Sequence, residues 1–385
     1  MPLSSTATFM EDVAAQVEGF SPVNRGQFSE AQLAGAMRLI TNADRLPQHR
    51  HEYLLKEAIT TSDFPYLFGT VIERELLARY KFGAVDWTAW TKVGTLPNFN
   101  IHERYSLSGL TGRLSRVGEK GEYLVSTKPA FGRRTVQLVR YGNQFDISWE
   151  ALINDGLGAF SDVAQRYADA ARNTESFNVT SLYSSAAGPN AALYGAPIVA
   201  PDGANVTNQG VLALTIANLE TTIELMARQT DANGDPIGIR AAHLVVPPGL
   251  EFTARQIVTS STKMWVELGG AGGPLPYPTN NVVSQIGLKL HIDPWLPVVD
   301  ATGNDNGTWY LFAETSQGYA IEYDRLRGYE TPQICMKASD KVTPAGGMIS
   351  PFDGDFATDN VFYRVRLCGA GVQLDPRLTY AQVHV

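Results

Sequence analysis

The chain has 385 residues, 44% of them apolar and 18% charged, and a formal net charge of -8. That balance describes a globular protein with one or two sizeable cores, and it argues against a nucleic-acid binder built on a dominant basic field, so any basic function must be local. The two cysteines, Cys335 and Cys368, stand outside any C-x-x-C spacing and indicate neither a disulfide framework nor a zinc site; both are expected to be buried free thiols, packed as small hydrophobes.

The opening MPLSSTATFMEDVAAQ lacks a basic region ahead of an apolar run, so no signal peptide is expected. No apolar stretch is long enough for a membrane span, and a reducing cytoplasm fits best. Residues 1–100 alternate short helical patterns with loops and read as an arm. Ser29 and Gln32 have capping-box spacing ahead of Leu33, Ala36, Met37 and Ile40, which mark an amphipathic helix. A second helical pattern covers about 66–80.

Residues 101–145 change character. IHERYSLSGL, EYLVST and RRTVQLVRYG read as strands separated by Gly109, Gly112, Gly118 and Gly121. The Gly118-Glu119-Lys120-Gly121 tip suits a long hairpin whose turn needs positive backbone angles. Between 102 and 140 there are eight basic residues (Arg104, Arg113, Arg116, Lys120, Lys128, Arg133, Arg134, Arg140) against three acidic ones (Glu103, Glu119, Glu122), a local balance of about +5 in an acidic chain. Such a run is either a solvated charged face or an extension that docks on an acidic partner surface. An isolated two-stranded ribbon is marginal in water, so something outside it must hold it.

QFDISWEALINDGLGAF leads into a helix over about 160–184, with Phe160, Val163, Ala164, Tyr167, Ala168 and Ala171 at spacings of three and four. Residues 188–210 are rich in Gly, Pro and Asn and mark a boundary. From 211 to 330, Ile216, Leu219, Ile223, Met226 and Ala227 mark a helix, DANGDPIG a turn, AAHLVVPP a buried strand and LEFTARQIV a helix, an α/β alternation. WYLFAE and GYAIEY then flank a turn, and NVFYRVRLCGAGVQL places Val361, Tyr363, Val365 and Leu367 on one face. The mixture of helices and strands in partly segregated order favours an α+β fold.

Catalytic and metal motifs fail residue by residue. His102-Glu103 lacks the second histidine of a zincin, because Ser stands at 106. Gly156-Leu157-Gly158-Ala159-Phe160-Ser161 lacks the third glycine of a dinucleotide loop and the buried strand before it. Asp231, Asn233 and Asp235 begin like a calcium loop, but the twelfth position is Ala242. His49 and His51 read as solvated residues of the arm. No catalytic, cofactor or metal site is expected.

The order of elements resembles the major capsid proteins of tailed bacteriophages: an arm, a long basic hairpin, QFDISWEALIND before a long helix, LVVPPGLEFTARQIV, WYLFAE and finally FYRVRLCGAGVQLDPRLTY. More narrowly it resembles the Mu-type major head subunit branch of the Hong Kong 97-like capsid fold, over roughly residues 55–385. The resemblance implies an N-terminal arm (1–100), an extended β-hairpin loop (101–145), a peripheral domain with a spine helix (146–210), an axial domain (211–330) and peripheral C-terminal strands (331–385). It implies a structural, non-enzymatic subunit that self-assembles into pentamers and hexamers of an icosahedral head enclosing double-stranded DNA. Such a subunit belongs to the virion and is assembled in the bacterial cytoplasm. Its further partners would be a portal and scaffold, head-protease or decoration proteins, with no membrane. Arg104, Arg113, Arg116, Lys120, Arg133 and Arg134 would be inter-subunit contacts of the loop. The rival classes are a tail or adhesion protein of the virion and a carbohydrate-active enzyme with a carboxylate pair.

Overall fold

A computed structural model describes residues 86–383 apart from 109–115, 124–129, 149–156, 202, 232–233, 267–275, 303–305 and 345–353, together with Leu76, Leu77 and Tyr80. The arm helix expected at 33–40, the His49/His51 pair and the glycines at 109 and 112 lie outside the described residues. In chain order the elements used below are β1 (Lys92–Leu96), β2 (His102–Ser108), β3 (Ala130–Val136), β4 (Val139–Ser148), α1 (Leu157–Tyr183), β5 (Gln209–Gly210) and α2 (Ile216–Ala227). They continue with β6 (Ala241–Val246), α3 (Glu251–Thr259), β7 (Lys289–Ile292), β8 (Trp309–Ala313), β9 (Ile321–Leu326), β10 (Gln333–Met336), β11 (Asn360–Gln373) and β12 (Thr379–Gln382).

Two compact units result. Of the described residues, the first draws on Leu76, Leu77 and Tyr80 and on those of 140–173 and 329–368, the second on those of 86–139, 174–328 and 369–383. Both are interleaved along the chain, and α1 and β11 each contribute residues to both.

In the first unit, β10 runs antiparallel to β11 in the register Gln333↔Arg366 to Met336↔Tyr363, and β4 also pairs with β11. The alternation read from the sequence holds: Val361, Tyr363, Val365 and Leu367 are buried, while Phe362, Arg364 and Arg366 point the other way. Val361, Tyr363 and Leu367 cluster with Leu76, Tyr80, Ala168 and Ala171, so the apolar stripe of α1 meets the apolar face of the strand. Phe145 stacks between Tyr167 and Tyr363, with centroids 4.9 and 5.1 Å away. Cys335 corrects one expectation. It is exposed, and only Cys368 is buried. The cause is the two-residue period of β10: Ile334 and Met336 pack on the core, which turns Cys335 to the opposite face.

The second unit is built around a five-stranded sheet in the order β7-β6-β8-β12-β5. β8, which reads WYLFA, is buried at every position. Trp309, Tyr310, Leu311 and Phe312 join Tyr183, Leu219, Met226, Leu244 and Ile257 in the main core. α2 follows its sequence pattern, with Leu219 and Met226 buried, and is capped by Thr215, whose side chain accepts from the Asn218 backbone N–H. The DANGDPIG turn closes through Asp235 N–H to the Asp231 carboxylate at 2.9 Å.

WYLFAE and GYAIEY do not pair with each other. β8 lies in the sheet just described. β9 instead pairs in parallel with β1 and antiparallel with residues 369–373 of β11. A short 3-10 turn at Thr315–Gln317 and Gly318 at φ 126° redirect the chain between them, and they place consecutive strands in different sheets.

Candidate inter-subunit surface

Within 101–145 a ribbon forms over 102–108 and 130–136, the strand read at EYLVST lies mostly outside the described residues, and 139–145 belong instead to β4, which pairs with β11. β2 and β3 pair antiparallel from His102↔Val136 to Ser108↔Ala130, and Arg104 stands opposite Arg134. At the far end Gly121 N–H donates to Gly118 O at 2.9 Å and closes the turn. The positive backbone angle anticipated there is taken by Lys120, at φ 60°, and not by either glycine. From Arg116 to Tyr123 every residue except the half-buried Val117 is exposed, and Tyr123 shows 87% of its surface. An aromatic ring this open, on a segment that also exposes Arg116 and Lys120, is a surface without a core among the described residues.

The six predicted contact residues fall into different settings. Arg116 and Lys120 are exposed at the tip. Arg133 is exposed and pairs with Glu103, which also receives the Tyr105 hydroxyl, so this charge is partly satisfied along the ribbon. Arg134 is half-buried. Arg113 lies outside the described residues.

Arg104 differs from the others, because it is engaged within its own chain. Its Nε donates to both oxygens of Glu322 at 3.2 Å, and its Nη2 donates to the two oxygens of Asp324 at 3.0 and 2.9 Å. Both carboxylates are buried, with side chains 2% and 0% exposed. Burial and the neighbouring Glu322 push the Asp324 carboxyl up to about 6 against the pull of Arg104. Sequence reasoning missed Glu322 and Asp324. The available signal was two acids at i and i+2 inside the apolar run AIEYDRL, since a buried charge needs a partner.

A second buried polar group sits in the main core. His243 Nδ1 lies 3.0 Å from His291 Nε2, and His291 Nδ1 lies 3.6 Å from Asp86. Burial, the second imidazole and Lys289 push His243 down to about 4. Nearby, Asp293 receives the hydroxyls of Thr180, at 2.6 Å, and Tyr183. Among the described residues no group of three or more His, Cys, Asp or Glu side chains is placed to hold a metal ion. No helix among them is long and apolar enough to cross a membrane.

Solved structures similar to this chain include a phage capsid. The capsid of the cyanophage P-SCSP1u superimposes with a TM-score of 0.50 at 11% identity, over 78% of this chain and 88% of that one. A capsid chain of the native GTA particle (TM-score 0.49, 11% identity, 78% and 90% covered) and a chain of Mycobacterium phage Adephagia (0.45, 12%, 79% and 90%) are also similar. At such identities the first of these likenesses defines the class of fold, a mixed α+β fold of the kind found in phage capsids. No curated protein sequence matches the chain. Residues 133–381 match the model of the phage capsid protein family, and the chain belongs to that family. It is a structural protein of the virion.

Proposed function

We propose that this chain is the major head subunit of a tailed phage, with a Hong Kong 97-like fold of the Mu-type branch, and that it closes into pentamers and hexamers of an icosahedral head around double-stranded DNA. Residues 101–145 act as the extended loop across a neighbouring copy, with Arg113, Arg116, Lys120, Arg133 and Arg134 facing that neighbour. Residues 211–330 act as the axial domain, and 146–210 with 331–385 as the peripheral domain. Residues 1–100 reach over adjacent subunits as an arm, and the portal is the further partner.

The observation that carries this reading is the exposed ribbon tip, which meets no core among the described residues and carries the open Tyr123 along with Arg116 and Lys120. Heterologous contacts of this kind close into rings when the rotation closes. Exposed ion pairs contribute only ~0–1 kcal/mol each, so apolar area such as Tyr123 supplies affinity and charge sets register. Negative-stain microscopy of the purified chain is the test. Rings, spheres or tubes support the reading, whereas a monodisperse monomer or a trimer under all assembly conditions refutes it.

A further inference from the structure

Glu322 and Asp324 stand two residues apart on β9, so their side chains leave the same face of the strand. β1 lies beside them in the register Lys92↔Glu322 and Gly94↔Asp324. The bare backbone at Gly94 makes the room the carboxylates occupy: a Cβ there would fall 2.1 Å from Asp324 Oδ1 and 2.8 Å from Glu322 Oε1. Arg104 enters this cradle from β2 and donates to all four carboxylate oxygens, while Lys92 Nζ approaches Glu322 Oε1 at 3.5 Å. Between β1 and β2 lie only the exposed residues Pro97–Ile101. That short link leaves the ribbon's direction to be set by whatever holds its root.

We propose that Arg104, Glu322 and Asp324 are positioning residues that fix the direction in which the β2–β3 ribbon projects from the separate sheet of β1 and β9, so that the tip reaches a neighbouring copy of this chain already aimed. This rests on the shell-building reading above. A planar guanidinium held by two carboxylates is fixed in rotation as well as in place, which a lysine ammonium could not achieve. A ribbon aimed before contact loses less freedom on association.

Arg104→Gln alone would leave two buried carboxylates unbalanced and could unfold the subunit. The informative variant is therefore Arg104→Gln/Glu322→Gln/Asp324→Asn, which removes the charges together. It is expected to melt within a few degrees of the parent, yet to give at least tenfold fewer closed particles. Arg104→Lys, keeping the charge without the fork, should fall between. Spin labels at Tyr123→Cys and Val298→Cys, in a Cys335→Ser background, read the aim directly in unassembled subunits. The distance distribution should be narrow in the parent and broad in the triple variant. An unchanged distribution, or parental particle yield from the triple variant, overturns the proposal. Failure of the parent to assemble at all would instead count against the shell reading, and the spin-label result would still decide the positioning role.

Discussion

Replacing Gly94 by Ala puts a methyl group where two buried carboxylates stand. At 2.1 and 2.8 Å from the Asp324 and Glu322 oxygens, the new Cβ is closer than real contacts allow, and β1 is held in its ladder with β9 from Lys92 to Leu96. The carboxylates must therefore swing away from Arg104. Overpacking a filled site costs ~1–3 kcal/mol, and losing a hydrogen bond to a charged group costs a further ~1.5–3 kcal/mol. Restricting the unfolded chain returns only ~0.4–1 kcal/mol. The net destabilisation is about 2–5 kcal/mol. At ~2 °C per kcal/mol for a chain of this size, the calorimetric Tm of the unassembled subunit should fall by about 4–10 °C. In an Asp324→Ala background the same substitution should cost much less, because its nearest obstacle is gone. A Gly94→Ala protein as stable as the parent, or one whose loss is the same in both backgrounds, refutes the cradle.

The remaining expectations concern other parts of the molecule. The folded-state pKa of His243, about 4, lies below its ordinary value. The unfolded chain therefore binds more protons between about 4 and 6.5, and the stability contributed by the neutral imidazole is lost as pH falls through that window, approaching ~3 kcal/mol at ~1.4 kcal/mol per pH unit. Asp324 and Asp293, both raised, work in the opposite sense over the acidic part of that range. His243→Leu should flatten the drop of the urea midpoint between pH 6.5 and 4.5, and an unaltered slope would show that the pair is not its source. Deleting the tip residues 116–123 should leave the Tm of the subunit unchanged within about 2 °C and abolish closed particles in the microscope. Reversing Arg116 and Lys120 to Glu should slow assembly measured by light scattering, more strongly at low salt, because the screening length is ~10 Å at 0.1 M and longer below that. In the native subunit a maleimide should label Cys335 rapidly and Cys368 only after unfolding.

Much of the fold was legible in the sequence wherever burial alone decided it. Val361, Tyr363, Val365 and Leu367 announced a one-faced strand, and the spacing of Leu219 and Met226 announced α2, because period and burial are the same information. The helix read at about 160–184 is α1 at Leu157–Tyr183. What could not be read was which strand lies beside which. WYLFAE and GYAIEY are adjacent in sequence, yet Gly318 sends them to different sheets, and β1 finds β9 across more than two hundred residues. The pairing of 102–108 with 130–136 was legible from their strand character, but the residue that takes the positive angle at the tip, and the status of the cations, were not. Arg104 and Arg133 differ by the acids their guanidinium groups reach, and for Arg104 those are a pair far along the chain. Asn208 was equally silent in sequence, although its buried amide ties Leu193 and Pro376 together at 2.8 and 2.7 Å.

The place of β12 has a consequence for how the molecule is made. Residues 379–382 are inserted between β8 and β5, so the WYLFA strand keeps one bare edge until β12, which is translated only after β9, β10 and β11, arrives. At ~5–20 residues per second, the stretch from Ala313 to Thr379 takes roughly 3–13 s to synthesise. During that interval a wholly apolar strand offers unpaired amides to any passing chain. A nascent chain with that hazard should be a client of ribosome-associated chaperones, and a subunit whose sheet closes late cannot join a growing lattice before β12 has been made and seated.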